Sequence, residues 1–341
     1  MVTIVGGGIA GTVLAGALAA EGIPVRVYES QQYVGAGAFL VLDDRAHAAL
    51  IALGVSADRL DEVAHPVDAL RVEYQPAEER FGPSRGHRLY LRGELMAVLT
   101  EFATATAAEF HYDTAVTDID EGVLLSGATR LPTDDIVIAA DGIDSLARQR
   151  IEPERVPRVC GSGRLLRPHR AATSIAHQEH GAALRRPDRR RRSADRRVRP
   201  LLGRNDFRLV RQGHSPGPSP GRPRIPSGGA VGRTHSHPCP GNLRRRRSLA
   251  RADADVHVSN ARHVPFTAAA PPRLPLILCG DADHAITPAE GVGARDAIED
   301  AAAIFRALTA GSSPAEAMAA RRRQIAADRE RVVPPYRRAG N

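Results

Sequence analysis

Thr3-Ile4-Val5-Gly6-Gly7-Gly8-Ile9-Ala10-Gly11 is the stretch on which the reading of this 341-residue chain turns. A short β-run, Thr3 to Val5, feeds directly into glycines, and Ile9 to Glu21 continues as an Ala/Leu-rich helix. A second β-run, Val25 to Glu29, ends in an acid 18 residues after Gly11. This is the β-α-β arrangement that binds a dinucleotide. Gly6 permits the tight turn, Gly8 lets the backbone approach a pyrophosphate, and Gly11 lets the helix lie close on the sheet. The helix start offers N–H groups and a partial positive charge to phosphates. Glu29 can accept hydrogen bonds from ribose hydroxyls.

Two later segments have the same character. Asp134 to Ala140 reads as a buried strand running into Asp141-Gly142, and the pattern D-G-x-x-S-x-x-R is complete as Asp141, Gly142, Ser145 and Arg148. Leu274 to Leu278 reads as an apolar strand, followed by Cys279-Gly280-Asp281-Ala282-Asp283-His284, then Pro288, Gly291 and Gly293, with a helix from Ala297 to Leu308. Ser313 caps a last Ala/Arg-rich helix whose first residue is Pro314; it reads as a solvated packing helix.

These segments, in this order, resemble the FAD-dependent aromatic hydroxylases, the class A flavoprotein monooxygenases. Val34 to Leu40 is similar to the family segment beside the flavin, Ala46 to Gly54 to the helix after it, and Arg92-Gly93-Glu94-Leu95 with Leu99 to the R-x-x-L-x-x-x-L helix start. The resemblance implies that Gly6, Gly8, Gly11 and Glu29 hold the adenosine and pyrophosphate side of FAD. It implies that Arg92 lies near the ribose and pyrophosphate, and Asp141 and Gly142 near the pyrophosphate and the nicotinamide entry. Asp281 would bond a ribityl hydroxyl, and Pro288, Gly291 and Gly293 would bring amides to the flavin pyrimidine edge. His284 matches a family histidine and reads as a structural hydrogen-bonder. Three positions depart from the pattern: Asp283 for the usual Ala, Val292 for Gln and Arg295 for Asn. An added acid and base near the ring would alter flavin polarity or affinity.

The middle of the chain has a different composition. Residues 158–262 hold 25 Arg against 6 acidic residues, whereas the rest holds 22 Arg against 33 acids, so the formal charge of +8 belongs to one block. The chain has no Lys, and its Ala, Gly, Arg and Pro content suggests a gene rich in G and C. Leu, Ile, Val and Phe make up 17 of the block's 105 residues, below the roughly 20% at which a highly charged segment can bury enough apolar surface to fold. Arg189 to Arg192 and Arg244 to Arg247 are unbroken charge runs, and Ser215 to Pro226 is rich in Pro and Gly. A disordered insertion, a nucleic-acid-binding Arg tract and a translation in the wrong reading frame all fit. The separation of the flanking motifs, about what the family needs, favours the frame-shifted segment. So does the coding of Val159 to Arg170, which can be chosen so that a one-nucleotide shift yields a tyrosine-bearing strand. Nucleic acid is not an expected partner, because the block holds a single aromatic residue, Phe207, too few for a stacking surface. His235-Ser236-His237-Pro238-Cys239 lacks a second ligand pair, and Cys160, Cys239 and Cys279 are scattered, so neither a metal site nor a disulfide framework is expected.

The expected fold is therefore α/β: a Rossmann-like FAD-binding domain carrying GxGxxG, DG and GD motifs, with a degraded β-sheet substrate domain. Residues 1–157 would form the first part of the FAD-binding domain, with substrate-domain strands near 65–90. Residues 158–262 would be the degraded, disordered region, and 263–341 the final part with the C-terminal helices. The resemblance implies a monooxygenase in which NAD(P)H reduces FAD and O2 is used to hydroxylate a small aromatic or polyketide-like molecule; for the chain as it stands, poor folding and little or no hydroxylation are expected. No substrate-side catalytic residue is assigned. An FAD-dependent dehydrogenase or reductase of the same fold and a non-enzymatic basic nucleic-acid binder are the rival readings. The first β-run begins beside Met1, leaving no room for a leader, and no apolar run reaches the roughly 18–20 residues of a membrane span. A cytoplasmic location without membrane attachment is expected.

Overall fold

The computed structural model describes residues 1–32, 39–67, 69–74, 78–83, 86–120, 123–133, 136–166, 206–210, 257–266, 268–287 and 291–332. In chain order its first elements are β1 (Val2–Val5), α1 (Ile9–Ala20), β2 (Val25–Tyr28), β3 (Phe39–Leu42), α2 (Asp44–Ala52) and α3 (Ala57–Glu62). Then come β4 (His65–Pro66), β5 (Ala69–Tyr74), β6 (Glu78–Pro83), β7 (Arg88–Leu91) and α4 (Arg92–Thr104). They are followed by β8 (Glu109–His111), β9 (Asp118–Asp120), β10 (Val123–Ser126), β11 (Thr129–Leu131), β12 (Ile136–Ala139) and α5 (Leu146–Ile151). The last are β13 (Arg158–Leu166), β14 (Asp206–Val210), β15 (His257–His263), β16 (Leu276–Leu278), α6 (Asp281–His284), α7 (Gly293–Thr309) and α8 (Pro314–Val332).

A five-stranded parallel sheet, in the order β16-β12-β1-β2-β8, organises the rest. Successive side chains on a strand point to opposite faces, and here both faces are buried. Val2, Ile4, Val25, Val27, Ile138 and Ile277 pack into one core with α1, α2, α4 and α7. Val5, Tyr28, Val137, Ala139 and Leu278 pack into a second core with Ile119, Leu124 and Ala147 from β9, β10 and α5. Parallel sheets need such cover on both sides, which explains the continuous apolar runs. Burying one Val, Ile or Leu contributes about 1.5–3 kcal/mol, so these short strands are held mainly by their packing.

Helix α1 is buried at every position from Ile9 to Ala19. Its small residues allow this: a Cβ at Gly16 would stand 2.6 Å from the ring of Phe102 on α4. The described strands are shorter than the apolar runs suggest. β16 starts at Leu276, not Leu274, because Pro275 has no N–H to give the ladder; its carbonyl accepts from Val137 N at 2.7 Å. α7 starts four residues earlier than expected, at Gly293.

Smaller antiparallel units surround the main sheet: β3-β7-β4, the β9-β10-β11 meander and the β5-β6 hairpin, whose β5 pairs in parallel with β14. β13 pairs antiparallel with β15, so the two ends of the 158–262 block lie side by side. The Arg runs, the Pro/Gly stretch and the His235–Cys239 cluster lie outside the described residues, as does Val34 to Ala38. No helix among the described residues is long and apolar enough to cross a membrane.

Candidate functional site

β1, β12 and β16 run in parallel and end together, and each end continues into one of the three motifs. β1 lies between β2 and β12, so the chain reverses its winding direction there. The carboxyl ends at such a switch point are where open α/β sheets bind ligands.

The first motif crosses the second at van der Waals range. Gly6 has φ +98°, and a Cβ there would stand 2.4 Å from the Ala140 carbonyl oxygen. A Cβ at Gly11 would stand 2.0 Å from the Gly6 carbonyl oxygen. Backbone contact thus dictates both glycines. Gly8 differs, because a Cβ there would meet nothing within 4 Å. It is the N-cap of α1, and no side chain caps that helix start. Glu29, at the end of β2, is buried and fastened to the turn. Gly7 N donates to Oε2 at 2.6 Å, while Gln31 N and Ser30 Oγ donate to Oε1 at 2.8 and 3.2 Å. A carboxylate accepts about four hydrogen bonds, so Oε2 retains an acceptor position.

In the second motif Ser145 caps the short α5, its Oγ accepting from Arg148 N at 3.0 Å, and Asp141 binds the same first turn. Its Oδ2 accepts from Leu146 N at 2.8 Å and Ala147 N at 3.3 Å. Oδ1 is buried and has no partner among the described residues. Burial pushes the Asp141 carboxyl above the usual range, opposed by hydrogen bonds from Ser145 and the backbone. Gly142, at φ +80°, faces open space. The motif's arginine turns inward: Arg148 is fully buried and donates to the carbonyls of Ala282 at 2.7 Å, Ile143 at 2.6 Å and Arg155 at 3.0 Å. It fastens the second motif to the third.

Gly280, at φ +62°, turns β16 into α6, and a Cβ there would stand 3.1 Å from Ala297 Cβ and 3.7 Å from Ala10 Cβ. That contact brings the third motif onto the start of α1. Asp281 lies in a recess, exposed on one side and crowded by protein on the others. The crowding raises its carboxyl pKa, against the pull of His284, Arg92 and Arg329. Arg92 is the first residue of α4 and half-buried. Burial lowers its pKa, and Asp281 opposes the shift. A Cβ at Gly293 would be 3.8 Å from Asp281 Oδ1, so the start of α7 borders the same recess. Gly291, at φ +68°, has open space where a side chain would be. Pro288 lies outside the described residues.

His284 is internal. Its Nε2 is 2.5 Å from Asp300 Oδ2, which also accepts from Gly280 N at 3.0 Å, while Arg321 Nε donates to Asp300 Oδ1 at 3.0 Å. Burial disfavours both charges, but the mutual attraction wins: the imidazole is raised and the carboxyl lowered. The departures from the family pattern are also absorbed internally. Asp283 is fully buried between Arg155 and Arg322, and Arg295 is paired with Asp43 and Asp296. Neither is an unpaired charge beside the recess.

Sequence reading missed Arg155, Glu152, Arg321 and Arg322, which support the third motif from behind. The buried acid at position 283 was the one available signal, since a carboxylate placed there needs a counter-charge. Two surface hollows, one between α7 and α8 that Arg321 helps to line and one beside His47, include no residue of the three motif loops.

The arrangement defines a Rossmann-like α/β protein with three loops gathered at the carboxyl edge of its sheet. Residues 4–52 match the family described as NAD(P)-binding Rossmann-like domain. No curated protein matches the chain. Among solved structures, the tetrameric form of 2-methyl-3-hydroxypyridine-5-carboxylic acid oxygenase is 20% identical, with a TM-score of 0.65 over 94% of this chain and 85% of that one. CtdE, in complex with FAD and a substrate, is 17% identical, with a TM-score of 0.68 over 94% and 84%. A variant of Klebsiella pneumoniae HpxO, complexed with FAD, is 18% identical, with a TM-score of 0.63 over 95% and 84%. At these identities the likeness establishes the shared fold.

Proposed function

We propose that this chain is an FAD-dependent monooxygenase by descent, using NAD(P)H and O2 to hydroxylate a small aromatic or polyketide-like substrate. The observation that carries the reading is the convergence itself. Gly6 lies on Ala140, Gly280 near Ala10, and Gly293 beside Asp281, with open space over Gly8, Gly142 and Gly291. The residues fit the group. The uncapped start of α1 and the bare backbone at Gly8 would receive the pyrophosphate. The remaining acceptor on Glu29 suits a ribose hydroxyl. Asp281 would accept from a ribityl hydroxyl, with Arg92 close enough to steady it and reach the ribose–pyrophosphate side. Asp141 and Gly142 would border the pyrophosphate and nicotinamide entry. Pro288, Gly291 and Gly293 would bring amides to the pyrimidine edge. When bound, FAD supplies the redox chemistry; the protein's part is to orient it and exclude water.

The domain limits 1–157, 158–262 and 263–341, the cytoplasmic location and the small-molecule partner belong to the same proposal. So does a frame-shifted origin for 158–262, whose composition leaves the substrate side poorly built. The test is to purify the chain and titrate it with FAD, then to assay substrate-dependent NAD(P)H oxidation. Tight flavin binding with weak turnover is the expected outcome. Robust coupled hydroxylation would overturn the view of the middle block, and the gene's nucleotide sequence across codons 155–265 should contain a tyrosine-bearing alternative frame.

A further inference from the structure

α6 is one turn long, and a single turn has no stability of its own. Its position is therefore imposed from outside, largely by arginines. Arg148 binds the Ala282 carbonyl at 2.7 Å, and Arg329 binds the His284 carbonyl at 2.8 Å. Between them stands Asp283, with no solvent exposure. Arg155 Nη1 reaches its Oδ1 at 3.0 Å, and Arg322 Nε and Nη2 reach Oδ2 and Oδ1, both at 2.7 Å. Arg155 also binds the Asp283 carbonyl oxygen, and its charge is balanced by buried Glu152. Glu152 in turn accepts from Ala270 N at 2.8 Å. Of the three polar residues of α6, Asp281 alone makes no side-chain hydrogen bond to the described residues, whereas Asp283 and His284 both do, and it faces the recess.

We propose that Asp283, clamped by Arg155 and Arg322, is a positioning residue that fixes α6 so that the Asp281 carboxylate is presented to the flavin's ribityl chain. Through Arg322 the clamp makes α8 a working part of the cofactor site, and through Arg155 it couples that site to the segment entering β13. The two carboxylates sit two residues apart on a single turn, so a rotation that releases Asp283 from its guanidinium pair also moves Asp281. The inference rests on the flavoprotein reading of the same site.

The experiment compares FAD affinity, the visible circular dichroism of bound flavin and the melting temperature of the FAD-free protein. It uses wild type, Asp283→Asn, Arg322→Gln and Arg45→Ala. Asp283→Asn keeps the side-chain size. Arg322→Gln leaves Asp283 on Arg155, so this variant keeps a folded core and decides the matter if the first does not fold. Arg45→Ala cuts the bridge from α2 to Glu299 and Asp328 without touching α6. The clamp predicts FAD affinity on the order of tenfold or more weaker in Arg322→Gln and Asp283→Asn, comparable to losing an outer-shell partner in a metal site. It also predicts an altered flavin dichroism and an Arg45→Ala variant within about twofold of wild type. Variants that bind FAD within about twofold of wild type and with its dichroism would overturn the clamp and leave the flavoprotein reading standing. An equal loss in Arg45→Ala would do the same. Wild-type protein that binds no FAD would overturn the flavoprotein reading itself.

Discussion

Glycines that look alike in the sequence do different work in the fold. At Gly6 and Gly11 a Cβ would collide with backbone, at 2.4 and 2.0 Å, while at Gly8 it would meet nothing. Gly6→Ala and Gly11→Ala should each cost more than about 2 kcal/mol in urea unfolding, through overpacking and, at Gly6, positive φ. Gly8→Ala should cost less than about 1 kcal/mol, because the backbone there is extended (φ −72°, ψ −167°) and only an N-cap preference is lost. Gly8→Ala should nevertheless weaken FAD binding in a titration, since its Cβ would occupy the open side of the turn. The buried His284–Asp300 pair gives a pH prediction. The raised imidazole pKa contributes stability fully present below the ordinary histidine value of 6.5 and lost as pH rises through its folded value. The lowered carboxyl pKa contributes stability present above the ordinary value of 3.8 and lost as pH falls through its folded value. Stability of the wild type relative to His284→Gln should therefore be greatest between those values and narrow on both sides, as denaturant midpoints across pH will show.

At the scale of elements, the β-α-β unit was legible because its signals are local: glycine spacing, an apolar helix and an acid at the end of β2. The capped start of α8 was legible for the same reason, and Glu316 N does donate to Ser313 Oγ at 3.3 Å. What α8 does was not legible. It read as a solvated packing helix, yet Arg321, Arg322 and Arg329 turn towards Asp300, Asp283 and Asp296. Their partners lie in other elements, so no spacing within the helix shows them. Arg321→Met should destabilise the fold by about 3–5 kcal/mol, the usual cost of removing one side of a buried ion pair, measurable by chemical denaturation. Arg148 was likewise visible as a motif position, but its inward role depends on carbonyls at Ile143, Arg155 and Ala282 that only the folded chain brings together.

Over the whole molecule, the sequence pattern separated a coherent α/β framework from a basic block with few apolar residues. The framework could be read because its three motifs each mark the end of a strand, and parallel strands of one sheet share an edge. The block could not be read into a sheet: 17 of its 105 residues are Leu, Ile, Val or Phe. Its described parts are β13, β14 and β15, which pair with one another or with the rest of the chain. At its far end Arg262 grips Asp144 with two bonds of 2.6 and 2.9 Å, tying the block to the second motif. Whether this framework encloses one flavin is read from the flavin content and FAD affinity of the purified chain. A yellow protein that binds one FAD per chain is expected, with that binding weakened when Asp281 is replaced by Ala. A well-folded, colourless protein that leaves added FAD unperturbed would contradict that expectation.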